Sequence, residues 1–342
     1  LTDFSVYDLK PERTNSFEVG MNMRFLKNFE LDVTYYNAKT MNQTFNPELP
    51  VGEYARIYIQ TGAVRNQGLE LALNYNNTWK DFTWNTGVTY SMNKNKILTL
   101  ADNAINPITR EKFSISSLNM GGLGSTRFIL KEGGSMGDIY SLMDLKRDAN
   151  GAVYIDENNS VVTESLEANN YIKLGSVLPK GNLAWRNNFS WKNINVAFLV
   201  SARLGGVVFS RTQAVLDNFG VSEASAAARD KGYVSVNGND RVNPEGWYSV
   251  VAGGTAVPQY YIYSATNIRL QEASIGYTIP RKWLGNVCDI KVSLIGRNLW
   301  MIYNKAPFDP ESVASTDNFY QGIDYFMMPS LRNIGFNLSF KF

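Results

Sequence analysis

The pattern that decides the fold is clearest in residues 334–342, which read IGFNLSFKF. Apolar side chains recur there at every second position, and Asn337, Ser339 and Lys341 stand between them. A period of two gives a β-strand one apolar face and one polar face. The chain is therefore predicted to consist almost entirely of β-strands. The same alternation runs through residues 29–35, 69–76, 82–90, 182–191 and 288–294.

The alternation predicts eleven strands, most of them 11 to 17 residues long, whereas strands of soluble proteins usually have about 5–6 residues. By subtraction, the ten connections have about 3, 25, 5, 30, 5, 33, 2, 57, 7 and 27 residues, so short and long connections alternate throughout. A transmembrane barrel has this pattern, with short turns on one side and long loops on the other. The predicted strands are 14–25, 29–40, 66–76, 82–94, 125–131, 137–147, 181–191, 194–205, 263–279, 287–303 and 331–342.

Composition excludes several functional classes. The chain has 342 residues, of which 44% are hydrophobic and 13% aromatic, too much apolar material for a disordered protein. Its net charge of +2 provides no basic field for nucleic acid. The absence of histidine removes imidazole-based hydrolysis and most zinc sites, and a single cysteine forms no internal disulfide. We expect a protein that is not an enzyme.

The sequence contains no run of about 20 mostly apolar residues, which a spanning helix requires, but a transmembrane strand needs only about 9–11 residues, half of them apolar. The apolar face of each strand would meet lipid, and the polar face would line a wet or plugged lumen. The predicted fold class is all-β, a transmembrane antiparallel β-barrel. The alternative is a large soluble antiparallel protein with an aromatic core. Bacterial single-chain barrels have even strand numbers, so eleven strands would be part of a barrel. The loops 41–65, 95–124, 148–180, 206–262 and 304–330 should then leave the same end of the strands.

A series of short motifs occurs in order along the chain. Together they resemble the C-terminal half of the barrel of the SusC/RagA family of TonB-dependent outer-membrane transporters. The motifs are LKPER at 9–13, SFEVG at 16–20, NQGLEL at 66–71, a glycine-tyrosine hairpin at 133–140, LGSVLP at 174–179, IGYTIP at 275–280, RNL at 297–299, FDPE at 308–311 and FKF at 340–342.

The resemblance implies a plugged barrel of 22 strands, in which residues 1–342 would supply strands 12 to 22. The plug domain and the N-terminal strands would lie outside this chain. It also implies energised import of oligosaccharides or oligopeptides across the outer membrane of a Gram-negative bacterium, with extracellular long loops and a periplasmic C-terminus. The implied partners are the remainder of the same transporter, a SusD-like surface lipoprotein, the TonB complex, the bilayer and a second transporter-lipoprotein pair. A passive porin, an adhesin or a scaffold barrel is the alternative.

Three sets of candidate residues follow from this interpretation. Aromatic side chains in the long loops could stack on sugar rings or clasp peptide side chains, although loop packing would also explain them. Arginines on the polar face could contact cargo or plug, and the last strand could be the signal for membrane assembly. The loop set is Trp247, Tyr248, Tyr260, Tyr261, Phe308, Tyr320 and Tyr325; the polar-face set is Arg203, Arg269 and Arg297; the assembly set is Phe336, Leu338, Phe340 and Phe342.

We predict no catalytic site, metal site or cofactor. Residues 148–151, DANG, begin like a calcium loop, which requires the spacing D-x-[DN]-x-[DN]-G. Ala152 and Val153 occupy positions five and six, so two features of that pattern are lost. A polar turn is expected here rather than a calcium site.

Overall fold

The computed structural model describes residues 3–4, 10–45, 56–57, 59–105, 111–254, 256–285, 287–315 and 320–341. Nine strands of this described part form one antiparallel sheet, and their order in the sheet follows their order in the chain. This confirms the predicted all-β fold class. We number the strands β1 to β9: Arg13–Phe25, Phe29–Phe45, Ile59–Trp79, Phe82–Thr99, Gly181–Trp191, Ile194–Leu204, Asn267–Ile279, Asp289–Asn304 and Asn333–Lys341.

Short and long connections leave opposite ends of this sheet, because each strand pairs antiparallel with the next. The turns after β1, β3 and β5 are short enough to require left-handed backbone at Leu26, Lys27, Lys80 and Lys192. The connections 100–180, 205–266 and 305–332 all leave the other end. The predicted alternation and the common end of the long loops are confirmed for these strands.

Two of the eleven predicted strands, 125–131 and 137–147, do not belong to the long sheet, because β4 pairs directly with β5. These residues contribute instead to a separate four-stranded sheet of Ser117–Leu123, Thr126–Lys131, Asp138–Ser141 and Ile172–Ser176. The physical reason is burial on both faces, since Phe128, Ile129 and Leu130 are consecutive and all almost fully buried. Within the described residues, the long sheet therefore has nine strands instead of the eleven predicted.

The small four-stranded sheet is attached to the end of β4. Ile97 exchanges backbone hydrogen bonds with Gly133 and Gly134, each at 2.8 Å. The side chain of Asn95 accepts a further bond from the backbone of Met136 at 2.8 Å. The last strand of the small sheet, Ile172–Ser176, then leads to the start of β5.

The two faces of the long sheet differ as the alternation predicts. Apolar side chains on one face are exposed, among them Phe17, Leu294 and Phe336 at 63%, 55% and 77%. Polar side chains on the other face share one hollow, which β2 to β6 line together, so this face is concave. The apolar face has no packing partner within the described residues.

Aromatic rings form a continuous chain of contacts across β1 to β6 near the short-turn end. Their centroids are 4.7 to 6.5 Å apart. Amphipathic rings at one level of a sheet are typical of a membrane-water boundary. The chain comprises Phe25, Phe29, Tyr75, Trp79, Phe82, Trp84, Trp185, Phe189 and Phe198.

Most of the buried apolar core lies in the described residues of the connections 100–180, 205–266 and 305–332, which we call the loop cap, and Phe45, Val64 and Ile97 join this core from the adjoining ends of β2, β3 and β4. The strand Val207–Ser210 pairs with Ile262–Ser264 and with Ile323–Asp324, and so joins the second connection to the third. Helices α1 (Arg211–Asn218), α2 (Glu223–Lys231) and α3 (Pro244–Val251) pack in the second connection.

Short elements complete the described part. None of its helices is long and apolar enough to cross a membrane. The remaining strands are Asp3–Phe4, Arg56–Ile57, Ala101–Ile105, Lys112–Ile115, Met143–Leu145, Thr163–Ser165, Val234–Val236 and Asp240–Val242, and the 3₁₀ helices are Ala168–Asn170, Pro258–Tyr261 and Arg281–Leu284.

Candidate functional site

The concave polar face of the sheet and the loop cap above it form the candidate site. A hollow of about 530 Å³ on this face is lined by Asp32, Glu70 and Arg203 from the strands and by Glu311 from the cap. Arg203 donates one hydrogen bond to the carbonyl of Val177 at 2.8 Å. Its buried Nε atom has no partner within the described residues. Arg203 therefore lies on the polar face, as predicted, and lines the hollow.

The other two predicted arginines form ion pairs within the chain. Arg269 is only 5% exposed and contacts Asp309 at 2.9 Å and Glu311 at 3.1 Å. Arg297 pairs with Glu272 on the neighbouring strand at 3.0 Å, where both side chains are far more exposed. Contact of these arginines with cargo or plug stays a prediction.

Asp309 is ionised at neutral pH. Burial acts to raise the pKa of its carboxyl group, but hydrogen bonds from Arg269, Ser330 and the backbone of Glu311 outweigh burial and lower the pKa. A negative charge is thus fixed at the junction of sheet and cap, opposite the Arg269 guanidinium.

The predicted loop aromatics fall into two groups. Tyr320 and Tyr325 are 40% and 50% exposed on the third connection, and Tyr260 is similarly open. Trp247 packs against the cap core and meets the Tyr260 ring edge-to-face at 5.2 Å. Phe308 meets another loop ring, that of Tyr263, at 5.4 Å in the same geometry. Only the first group presents rings that a ligand could reach without movement of the loops.

Tyr261 was predicted as a contact residue, but it belongs to the loop core. It is 2% exposed, and its hydroxyl donates a hydrogen bond to Asp217 at 3.0 Å. Burial, reinforced by the Asp217 charge, raises the pKa of Tyr261. The 3₁₀ helix Pro258–Tyr261 turns adjacent rings in different directions, so Tyr260 is open while Tyr261 is enclosed. Tyr248 is half-buried nearby, and burial raises its pKa as well.

Sequence reasoning missed the buried carboxylate of Asp217, near the end of α1. It accepts hydrogen bonds from Gln213 at 2.8 Å, from the Tyr261 hydroxyl and from Ser222. Ser222 also caps α2, through the pattern Ser222-x-x-Ser225. That capping pattern is the one signal in the sequence that could have revealed the cluster. All its partners are internal, which makes it a structural element of the cap.

The predicted assembly segment lies on β9, an edge of the sheet within the described residues. Phe336, Leu338 and Phe340 are exposed on its apolar face. Phe342 lies outside the described residues. A role in assembly stays a prediction.

The calcium-like segment is a closed turn. Asp148 accepts backbone hydrogen bonds from Asn150 at 2.8 Å and from Ala152 at 3.0 Å. Across the described residues, no group of three or more acidic, cysteine or histidine side chains is arranged to hold a metal ion.

Comparison with known proteins places these features in a family. The family model for TonB dependent receptor-like β-barrels matches residues 2–299. TonB-dependent receptor P3 of Formosa agariphila is 26% identical in an alignment of 383 positions, which covers 100% of this chain and 35% of the receptor. TonB-dependent receptor P26 of the same organism is 27% identical, covering 97% of this chain and 34% of the receptor. The chain thus spans about a third of the length of these relatives.

Solved structures show the same fold. The RagAB peptide transporter superposes with a TM-score of 0.70 at 16% identity, covering 97% of this chain and 35% of that chain. The RagAB peptide importer in its open-open state gives a TM-score of 0.69 at 17% identity, with 98% and 35% coverage. The resemblance to SusC/RagA barrels that the motifs predict is confirmed. With the family model matching most of its length, the chain belongs to the family of TonB-dependent receptor-like β-barrels.

Proposed function

We propose that this chain forms part of the wall and outer loops of a TonB-dependent importer in the outer membrane of a Gram-negative bacterium. One observation carries the proposal: a sheet with an exposed apolar face on one side and a polar hollow on the other, closed at one end by a packed loop cap. An apolar outer face suits lipid, and a polar concave face suits a lumen. In this orientation the cap is extracellular, and the short turns and the chain end after β9 are periplasmic.

The proposed cargo is an oligosaccharide or an oligopeptide. Exposed rings at Tyr260, Tyr320 and Tyr325 support such cargo, because aromatic faces bind sugar rings and peptide side chains without any need for charge. The proposed partners are the remainder of the transporter with its plug, a SusD-like lipoprotein over the cap, and the TonB complex. A dimer of transporter-lipoprotein pairs is part of it.

A passive pore is the second candidate. The cap argues against it, because three connections share one buried core over the end of the sheet. A pore that works by free diffusion has no need of such an obstruction, whereas an importer that must be opened by energy does.

The test is uptake of labelled oligosaccharides and oligopeptides by cells that express the whole receptor, with and without TonB. We expect uptake to require TonB. Replacing Tyr320 and Tyr325 together by alanine should weaken uptake at limiting cargo by about threefold to tenfold, the effect of one or two aromatic contacts. Trp283→Ala, at a more exposed ring near the opposite end, is the control and should leave uptake unchanged. Uptake that persists without TonB would assign the chain to a passive pore.

A further inference from the structure

Two sequence motifs and one buried arginine meet at a single place in the structure. The motif RNL at 297–299 lies in β8, where the pairing with β7 shifts register and Asn298 adopts left-handed backbone. A register shift of this kind is a β-bulge, which redirects side chains at that point of a strand. The redirected Asn298 amide donates to the Oγ of Ser330 at 2.8 Å and to its carbonyl at 3.2 Å.

The motif FDPE at 308–311 reaches the same place from the other side. Ser330 donates a hydrogen bond from its hydroxyl to Asp309. Arg269 donates to both Asp309 oxygens, at 2.9 and 3.4 Å, and pairs with Glu311 at 3.1 Å. Asn267, two residues before Arg269, accepts from its Nε at 3.1 Å and so fixes the guanidinium plane. We call these six residues (Asn267, Arg269, Asn298, Asp309, Glu311 and Ser330) the rim network.

The rim network fastens both ends of one loop. Asp309 and Glu311 stand near the start of the connection 305–332, and Ser330 stands near its end. Arg269 and Asn298 belong to β7 and β8 in the wall. The middle of this connection pairs with the strand Val207–Ser210 in the cap, so a loop tied at its base also locates part of the cap.

We propose that Arg269 is the positioning residue of the loop cap: through the rim network it holds the connection 305–332 in one place over the concave face of the sheet. The Arg269–Asp309 pair is suited to this role because both side chains are 5–7% exposed, where a charge that loses its partner is strongly disfavoured. The Arg297–Glu272 pair joins β7 and β8 but is open to solvent, where an ion pair fixes little. The Arg269–Asp309 pair can therefore hold the loop in place, whereas the Arg297–Glu272 pair is an ordinary surface ion pair.

Limited proteolysis of the whole receptor tests the position of the loop. Lys305 and Arg332 are exposed trypsin sites at the two ends of the connection. Arg269→Gln should speed cleavage at Lys305 by about a hundredfold or more, because breaking a buried ion pair allows local opening. Ser330→Ala, which removes one hydroxyl and no charge, should speed it by about tenfold. Glu272→Gln removes the exposed pair on the same strand and should leave the cleavage rate unchanged.

The mobility of unheated protein in gels shows whether the barrel has assembled in each variant. If Arg269→Gln fails to assemble, the cleavage rate of Ser330→Ala at Lys305 alone tests the proposal. Unchanged cleavage in the assembled variants, or equal acceleration by Glu272→Gln, would overturn the proposal. The consequence for transport rests on the proposed function: a displaced loop carrying Tyr320 and Tyr325 should lower uptake. TonB-independent uptake refutes the proposed function and leaves the proteolysis result standing, so the two failures can be told apart.

Discussion

The nine-stranded sheet and the loop cap use the same kinds of side chain in opposite ways. In the cap, Phe128 and Phe209 are fully buried and belong to one contiguous core. In the sheet, Phe17 and Phe336 point away from the polar hollow and remain exposed. The regularity of the secondary structure differs in the opposite sense from burial. The exposed sheet is long and regular, whereas the well-buried cap is assembled from short strands, turns and three short α-helices.

The difference shows that the two regions fold against different solvents. The cap excludes water by packing side chain on side chain, as a soluble domain does. An apolar face that extends over nine strands is far larger than the patches that soluble monomers expose, so it is adapted to hydrocarbon. The same substitution should therefore have different consequences in the two regions. The first two measurements below test this difference, and the third tests the cap by itself.

The largest effect is expected from removing a buried ring in the cap. Phe209→Ala should destabilise the cap by about 3–5 kcal/mol, since the side chain is fully buried and its removal leaves a cavity. Phe336→Ala deletes the same atoms from the exposed face of β9 and should cost much less. Thermal unfolding of the whole receptor measures both, followed by tryptic cleavage for the cap and by the mobility of unheated protein in gels for the sheet. Equal costs would mean that the apolar face of the sheet is packed like a core.

A smaller effect is expected from placing a charge on the apolar face of the sheet. Leu294 lies near the middle of β8 and is exposed. Leu294→Arg should cost about 2–4 kcal/mol in a membrane, the value for an arginine near the bilayer midplane. Ser293→Arg, one residue away on the polar face, is the matched control. The measured quantity is the assembled fraction in lipid vesicles, and equal losses for the two variants would contradict a lipid-facing role for Leu294.

The smallest effect is expected from the buried tyrosines of the cap. Burial, the Asp217 charge and the nearby Tyr248 raise the pKa of Tyr263 to about 12, and burial raises the pKa of Tyr261 also. A raised pKa stabilises the folded cap at every pH below the ordinary tyrosine pKa of 10.0. That stability is lost as the pH rises from there toward 12.

Unfolding of the cap should therefore become easier between pH 10 and 12, and Tyr261→Phe should make this loss shallower while costing about 1 kcal/mol at neutral pH. Stability measured across this pH range checks both expectations. The same pH dependence in Tyr261→Phe as in the unaltered protein would show that another group is responsible.

Much of the sheet could be predicted from the sequence because alternation is a local property. Nine of the predicted strands are in place, and their turns required no knowledge of partners, but β2, β3 and β4 extend further toward the long connections than predicted. The prediction failed at Thr126–Lys131, where burial on both faces leaves a short apolar run without a clear period. Tyr261 failed for a related reason: which side of a 3₁₀ turn faces the core depends on residues far away in the chain. The rim network could not be predicted either, because Asn298 gains its role only when Ser330 is brought beside it.

The attachment of the small four-stranded sheet to β4 has a consequence for how the chain assembles. The hairpins β1–β2, β3–β4 and β5–β6 close over two or three residues and can form within about 1–10 μs. Pairing of β4 with β5 instead requires the ends of residues 100–180 to meet, which costs more chain entropy and is slower. Once the small sheet has formed, its contacts with Ile97 at one side and its last strand Ile172–Ser176 at the other bring β4 beside the start of β5, where Ser91 pairs with Asn182. The cap then holds β4 and β5 close together, and this pair of neighbouring strands has the largest sequence separation in the sheet. We therefore expect the folding of the cap to set the rate at which β4 and β5 pair.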